Sequence, residues 1–168
     1  MTAATRLPPV LLAAVMLHTA VAPQLRLFGV AAEVMLLLAI AAGITAGADR
    51  GAALGFGAGL LADCFLQTPF GLSALTYSLV AYGVGAFQST ILHTGRWIPM
   101  LTTLVASMLG VGLFALLGLV LGQDHLVSAR LATVAGMVGV LNALLSPLAV
   151  RLMRWAVAPP LVSGIVLR

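Results

Sequence analysis

Few side chains in this chain can carry charge or do chemistry: four carboxylates, eight arginines and three histidines among 168 residues. The most telling is Asp63, set in the apolar run Gly59-Leu60-Leu61-Ala62-Asp63 and followed by Pro69-Phe70-Gly71-Leu72. A charged side chain at mid-depth in a bilayer costs roughly 2.5–3.5 kcal/mol, so one that persists faces a bundle interior, a cavity or a partner. Catalytic chemistry is thinly represented. His18, His93 and His125 fall on different segments or loops without paired ligand spacing, which argues against a metal centre. Gly55-Phe56-Gly57-Ala58-Gly59 is glycine-rich enough for a phosphate cradle, but it lies inside an apolar span and lacks the lysine of a P-loop, so helix packing explains it better. No nucleophile elbow or metalloprotease motif appears. Cys64 is the sole cysteine, which rules out an intrachain disulfide and a cysteine-based metal motif. The expectation is a protein that is not an enzyme and uses no cofactor or metal.

The elements that must position Asp63 follow from composition. The chain is 62% hydrophobic and 7% charged, with a mean hydropathy of +1.17, far outside the range of soluble globular domains. An all-α integral membrane protein is expected. The net charge of +4 comes from arginines scattered singly except for Arg151 and Arg154. Nucleic-acid binding would need a basic patch with interleaved aromatics, so that class is excluded. Lysine is absent, which suits a GC-rich bacterial genome.

Division at charged and Pro/Gly punctuation gives one polytopic domain over 1–168, with six transmembrane helices near 7–22, 27–48, 51–65, 70–87, 99–121 and 131–150. A span of about 30 Å needs about 20 residues, so the first and third are short, which implies tilt, local thinning or burial among neighbours. Residues 151–168 read as an interfacial tail, with Arg151, Arg154 and Trp155 at headgroup level. Arg6, the apolar stretch Val10 to Leu17 and Ala20-Val21-Ala22 imitate a secretory signal peptide; Pro23 would follow the cut directly, and an uncleaved first helix is expected instead.

Cytoplasmic loops retain positive charge. With both termini cytoplasmic, Arg6, Arg50, Arg96, Arg151, Arg154 and Arg168 lie inside and only Arg26 and Arg130 outside. On that topology Glu33 enters the second helix, and Asp63 leaves the third, near the outer face. A polar cluster of Glu33, Asp63, Arg26 and Arg130 is therefore expected there, with interfacial charges simply wet by water as the plainer account. Asp63→Ala is expected to leave the fold intact and to harm partner assembly.

Ala39, Gly43, Gly47, Gly51, Gly55 and Gly59 recur every four residues, an interval that lets helix backbones approach closely. Packing within one bundle is the simpler account; a docking groove for another helix is the functional one. Asp49-Arg50 interrupts the series and reads as a tight cytoplasmic turn.

Gly59-Leu60-Leu61-Ala62-Asp63, then Pro69-Phe70-Gly71-Leu72, Leu75, Tyr77 and Tyr82-Gly83, together resemble the central signature of the rod shape-determining protein MreD family. The likeness covers the whole length loosely and Leu27 to Gly85 by motif. One departure is Ala32-Glu33, where the family usually has Pro-Asp at the start of the second helix. The resemblance implies a non-enzymatic scaffold of the cell-elongation (rod) machinery in a bacterial inner membrane. It further implies partnership with the single-span protein MreC, and action with the elongation peptidoglycan synthase and the actin-like MreB in peptidoglycan biosynthesis and cell shape. It also implies a fold similar to the S-component of energy-coupling-factor transporters.

Two functions follow. As a scaffold, the small-residue faces receive a partner's transmembrane helix, with Ser107, Asn142 and Ser146 available for interhelical hydrogen bonds. As a small-solute carrier subunit of the energy-coupling-factor type, Asp63, Glu33 and nearby aromatics would line a pocket. Aromatics are 6% of the chain and dispersed, with Trp97 and Trp155 at interfacial positions, so the scaffold is favoured. Monomer and homodimer are both left open.

Overall fold

The structure, a computed structural model, describes residues 3–16, 33–65, 69–87, 97–123 and 130–157. Among these residues there are six helices and no strand: α1 (Ala3–Met16), α2 (Val34–Ala46), α3 (Ala48–Asp63), α4 (Leu72–Ala86), α5 (Trp97–Val120) and α6 (Leu131–Val157). Arg26 and the stretches 17–32, 66–68, 88–96, 124–129 and 158–168, on which parts of the expected segments fall, lie outside the described residues. Helices α5 and α6, of 24 and 27 residues, are long and apolar enough to cross a membrane; α2 and α4 are shorter apolar helices.

The helix α2 is apolar all round, as a helix enclosed by others must be. Eleven of its thirteen residues are buried, from Val34 to Ile44. Around it stand the α3–α4 hairpin, the antiparallel pair α5–α6, and α1, whose Val10 and Ala14 line a small cavity with Val34 and Leu38 of α2 and Leu145 and Ala149 of α6. Those contacts make α6 parallel to α2, so the α2–α3 turn and the C-terminus of α6 share one end of the bundle. Arg50, Arg151 and Arg154 are exposed at that end.

Local punctuation differs from the expected boundaries for simple reasons. The α2–α3 reversal is made by Gly47 at φ 86°, so α3 starts at Ala48 and the Asp49-Arg50 pair stands exposed in its first turn instead of forming the turn. Pro99 lies in the first turn of α5, where its missing amide costs nothing. Pro147 does not stop α6, which runs on through Arg151 and Arg154 to Val157, so the first part of the expected interfacial tail is helix.

The glycine series is consumed inside the bundle. A Cβ built on Gly59 would lie 2.5 Å from the Ser73 carbonyl oxygen, one on Gly55 2.7 Å from that of Tyr77, and one on Gly43 2.5 Å from that of Ala81. On Gly51 it would lie 2.7 Å from the Gly43 Cα. These faces are occupied by α2 and α4, which removes them as a docking groove for another protein's helix. Gly83, by contrast, would meet nothing within 4 Å. Gly59→Val is therefore expected to destabilise the protein by about 1–3 kcal/mol or more, because the obstacle is backbone that cannot rotate away. Gly83→Ala should stay within about 0.5 kcal/mol, or gain slightly from helix propensity. Unfolding midpoints in detergent micelles check both.

Candidate functional site

The helix α4 opens at Gly71, which adopts a left-handed φ of 98° and has no side chain with which to cap the amides that follow. A helix start leaves four N–H groups without intrahelical partners, and inside a membrane protein water cannot be relied on to supply them. Asp63, at the last position of α3, supplies them from across the turn. One carboxylate oxygen, Oδ2, accepts from the amides of Gly71 at 2.8 Å and Ala74 at 3.3 Å; Oδ1 accepts from Ser73 at 3.1 Å. The side chain is 4% exposed. Its negative charge also sits on the positive end of the α4 dipole, where an anion is stabilised.

This geometry explains the signature from Gly59 to Leu72. Gly59 lets α3 close onto the first turn of α4. Asp63 caps, the Pro69 carbonyl accepts from the Leu72 amide at 3.1 Å, and Gly71 supplies the positive φ. Leu75, Tyr82 and Gly83, further along the same signature, face outward.

One turn beyond Ser73, Tyr77 is 2% exposed and its hydroxyl donates to Oε1 of Glu33. Glu33 occupies the N-cap position of α2, yet its carboxylate makes no cap bond; it turns to the phenol. Its backbone carbonyl accepts from the Leu37 amide at 2.9 Å and from Nδ2 of Asn142 at 3.4 Å. The same Nδ2 donates to Ser107 Oγ at 3.1 Å, and one turn along Thr103 and Ser146 share a hydrogen bond of 2.8 Å. All four of these side chains are fully buried. Two polar groupings result: Asp63 with the amides that open α4, and, one turn further along α4, a chain from Tyr77 through Glu33 and Asn142 into the α5–α6 seam. Ser73 Oγ and Asn142 Oδ1 are buried polar atoms without a hydrogen-bond partner among the described residues.

Among the described members of the expected charge cluster, the two carboxylates find partners other than Arg130. Glu33 bonds Tyr77, and Asp63 holds the α4 amides that begin one turn before Tyr77. Asn142 is the α6 residue that reaches Glu33, and Arg130 lies twelve residues earlier, about 18 Å away along the helix axis. Arg130 is exposed in the turn that opens α6. Arg26 is outside the described residues. Ser107, Asn142 and Ser146, expected to bond a partner's helix, instead hold α5, α6 and α2 to one another. Thr103 joins them in this seam, and its spacing of four from Ser107, mirroring that of Asn142 from Ser146, is the sequence signal for it.

Among the described residues no three His, Cys, Asp or Glu side chains gather as a metal site requires. The polar groups are deployed to hold helix ends and helix faces together, and the class of protein so defined is an all-helical membrane protein with a structural polar core. A family model for the rod shape-determining protein MreD matches residues 4–156. The chain belongs to the rod shape-determining protein MreD family, and its role is in rod shape determination. No curated protein and no solved structure matches it.

The capping role reverses the expectation that the fold is indifferent to Asp63. Asp63→Ala strands three amides and should lower stability by about 2–4 kcal/mol, whereas Asp63→Asn, which keeps an acceptor but loses the charge, should cost less. Tyr77→Phe leaves the Glu33 carboxylate short of a donor and should cost about 1–3 kcal/mol. Denaturant titration of the purified variants in one detergent gives the ranking.

Proposed function

We propose that this protein is a six-span scaffold of the bacterial inner membrane, with both termini cytoplasmic, that serves the cell-elongation machinery. Membership of the MreD family over residues 4–156 carries this reading. The exposure of Arg50, Arg151 and Arg154 at one end of the bundle supports the orientation, since cytoplasmic faces retain positive charge. The partner is an MreC-like single-span protein with a periplasmic domain, and through it the elongation peptidoglycan synthase and MreB, whose activity the scaffold helps regulate.

Because α2 and α4 occupy the glycine faces, a partner's helix must meet the perimeter of the bundle. A groove of about 720 Å³ between α4 and α5, walled by Leu79, Gly83, Leu101, Val105, Ala106 and Leu109, offers close approach at Gly83 and Ala106. A small-solute carrier with an S-component-like fold is the alternative. It is disfavoured because Asp63, Glu33, Tyr77 and Asn142 are bonded to helix ends and to one another, and this groove is apolar.

Affinity capture of the tagged protein from native membranes in mild detergent, followed by mass spectrometry, is the deciding test. Recovery of a single-span periplasmic protein with elongation components is the expected result. Recovery of ATPase subunits and a transmembrane coupling protein would overturn the scaffold in favour of the carrier.

A further inference from the structure

The helices of this bundle are of two heights. At 1.5 Å per residue, α3 and α4 rise about 24 and 22 Å, whereas α5 and α6 rise about 36 and 40 Å. The hydrocarbon core of an ordinary bilayer is about 30 Å thick. Along α3, exposed Arg50 and buried Asp63 stand about 20 Å apart, so both cannot lie at the two boundaries of such a slab. The far end of this hairpin is also where regular helix stops: Cys64 and Phe65 form a turn, Gly71 adopts a left-handed φ, and Cys64, Phe65 and Phe70 are exposed. Lipid-exposed irregular backbone does not persist inside hydrocarbon, because its polar groups find no partners there.

Several escapes from the mismatch are closed by the structure. The hairpin cannot lengthen by sliding, because Gly59 and Gly55 are seated on the backbone of α4 and Gly85 on the backbone of Gly47 and Ala48, which fixes the register at both ends. Tilting worsens the deficit, since a tilted short helix spans less of the membrane normal. Snorkelling needs long basic side chains, and the residues described at the far turn, from Asp63 to Phe65 and from Pro69 to Leu72, include none. The outward face is nonetheless apolar, with Phe56 and Leu61 on α3 and Leu75 and Leu79 on α4 exposed, so acyl chains are its natural neighbours. Asn142, which reaches the start of α2, has about 16 Å of α6 on its other side, and that taller side holds the protein at normal bilayer depth.

We infer that the α3–α4 hairpin is a thin edge that draws the bilayer down locally and prefers short-chain phospholipids, while the α5–α6 side matches a bilayer of ordinary thickness. The inference rests on the membrane-spanning reading of α3 and α4. It adds to that reading a lipid preference and a direction: the membrane slopes toward the end of the hairpin that carries Asp63.

The test is reconstitution of the full chain, at low protein-to-lipid ratio, into vesicles of monounsaturated phosphatidylcholine with short, intermediate or long acyl chains. Fluorophores on Cys64, the sole cysteine and an exposed one, report energy transfer between copies. The thermal unfolding midpoint should be highest in the short-chain bilayer and fall stepwise as chains lengthen, with no rise in energy transfer. A midpoint independent of chain length, or rising with it, would overturn the thin edge. So would a steep rise in energy transfer at an unchanged midpoint, which would show self-association relieving the mismatch. Failure to enter vesicles of any thickness would instead remove the membrane-spanning reading itself.

Discussion

One carboxylate closing the start of one helix is the constraint from which the rest of this bundle follows. Helix α4 begins at a left-handed glycine that cannot cap itself, in surroundings where water is not a dependable partner. Asp63 resolves this only if the end of α3 stands beside the first turn of α4, with its carboxylate aimed along the α4 axis. That placement needs two backbones nearly in contact, which is what Gly59 against Ser73 and Ala74 provides. A buried charge that would otherwise be a liability thereby becomes the clasp of the hairpin.

The second constraint is that apolar burial does little to bring helices together in lipid, where the tails are as apolar as leucine. Close packing and hydrogen bonds must do that, and this chain assigns them to different places. Helices α2, α3 and α4 are joined by glycine on backbone, with Gly43, Gly51, Gly55 and Gly59 each facing a main chain across the interface. Helices α5 and α6 are joined by Thr103–Ser146 and Ser107–Asn142 in antiparallel register. Leu36 of α2 packs over Gly110 of α5, and Asn142 reaches the carbonyl of Glu33, so the two groups meet where α2 begins. Membership of a family with a role in rod shape fits a bundle whose glycine faces and polar seam are occupied by its own helices.

Much of this was legible in the residues. Composition alone demanded membrane helices, the spacing of four among the glycines announced close packing, and the isolation of Asp63 and Glu33 marked them as groups with a partner. The partners themselves were not legible. The pairing of Asp63 with amides eight, ten and eleven residues on depends on how the chain enters α4 at the left-handed Gly71, and backbone amides leave no trace in a sequence. Arg130 was the plausible counter-ion by sign and expected depth, yet Asn142, not Arg130, proved level with Glu33, because only the packing of α6 against α2 sets the relative height of the two helices.

The sequence by itself therefore determined the solvent, the helical class, the family and the identity of the residues that could not be indifferent. It did so because hydropathy, small-residue spacing and lone charges are properties of the chain read locally. Tertiary structure alone decided that Asp63 is a helix cap, that Tyr77 bonds Glu33, that the glycine faces are filled by neighbouring helices, and that the α3–α4 hairpin is shorter than the α5–α6 pair. Each of these depends on which backbone lies against which, at what height, and that is fixed only when all the helices pack at once.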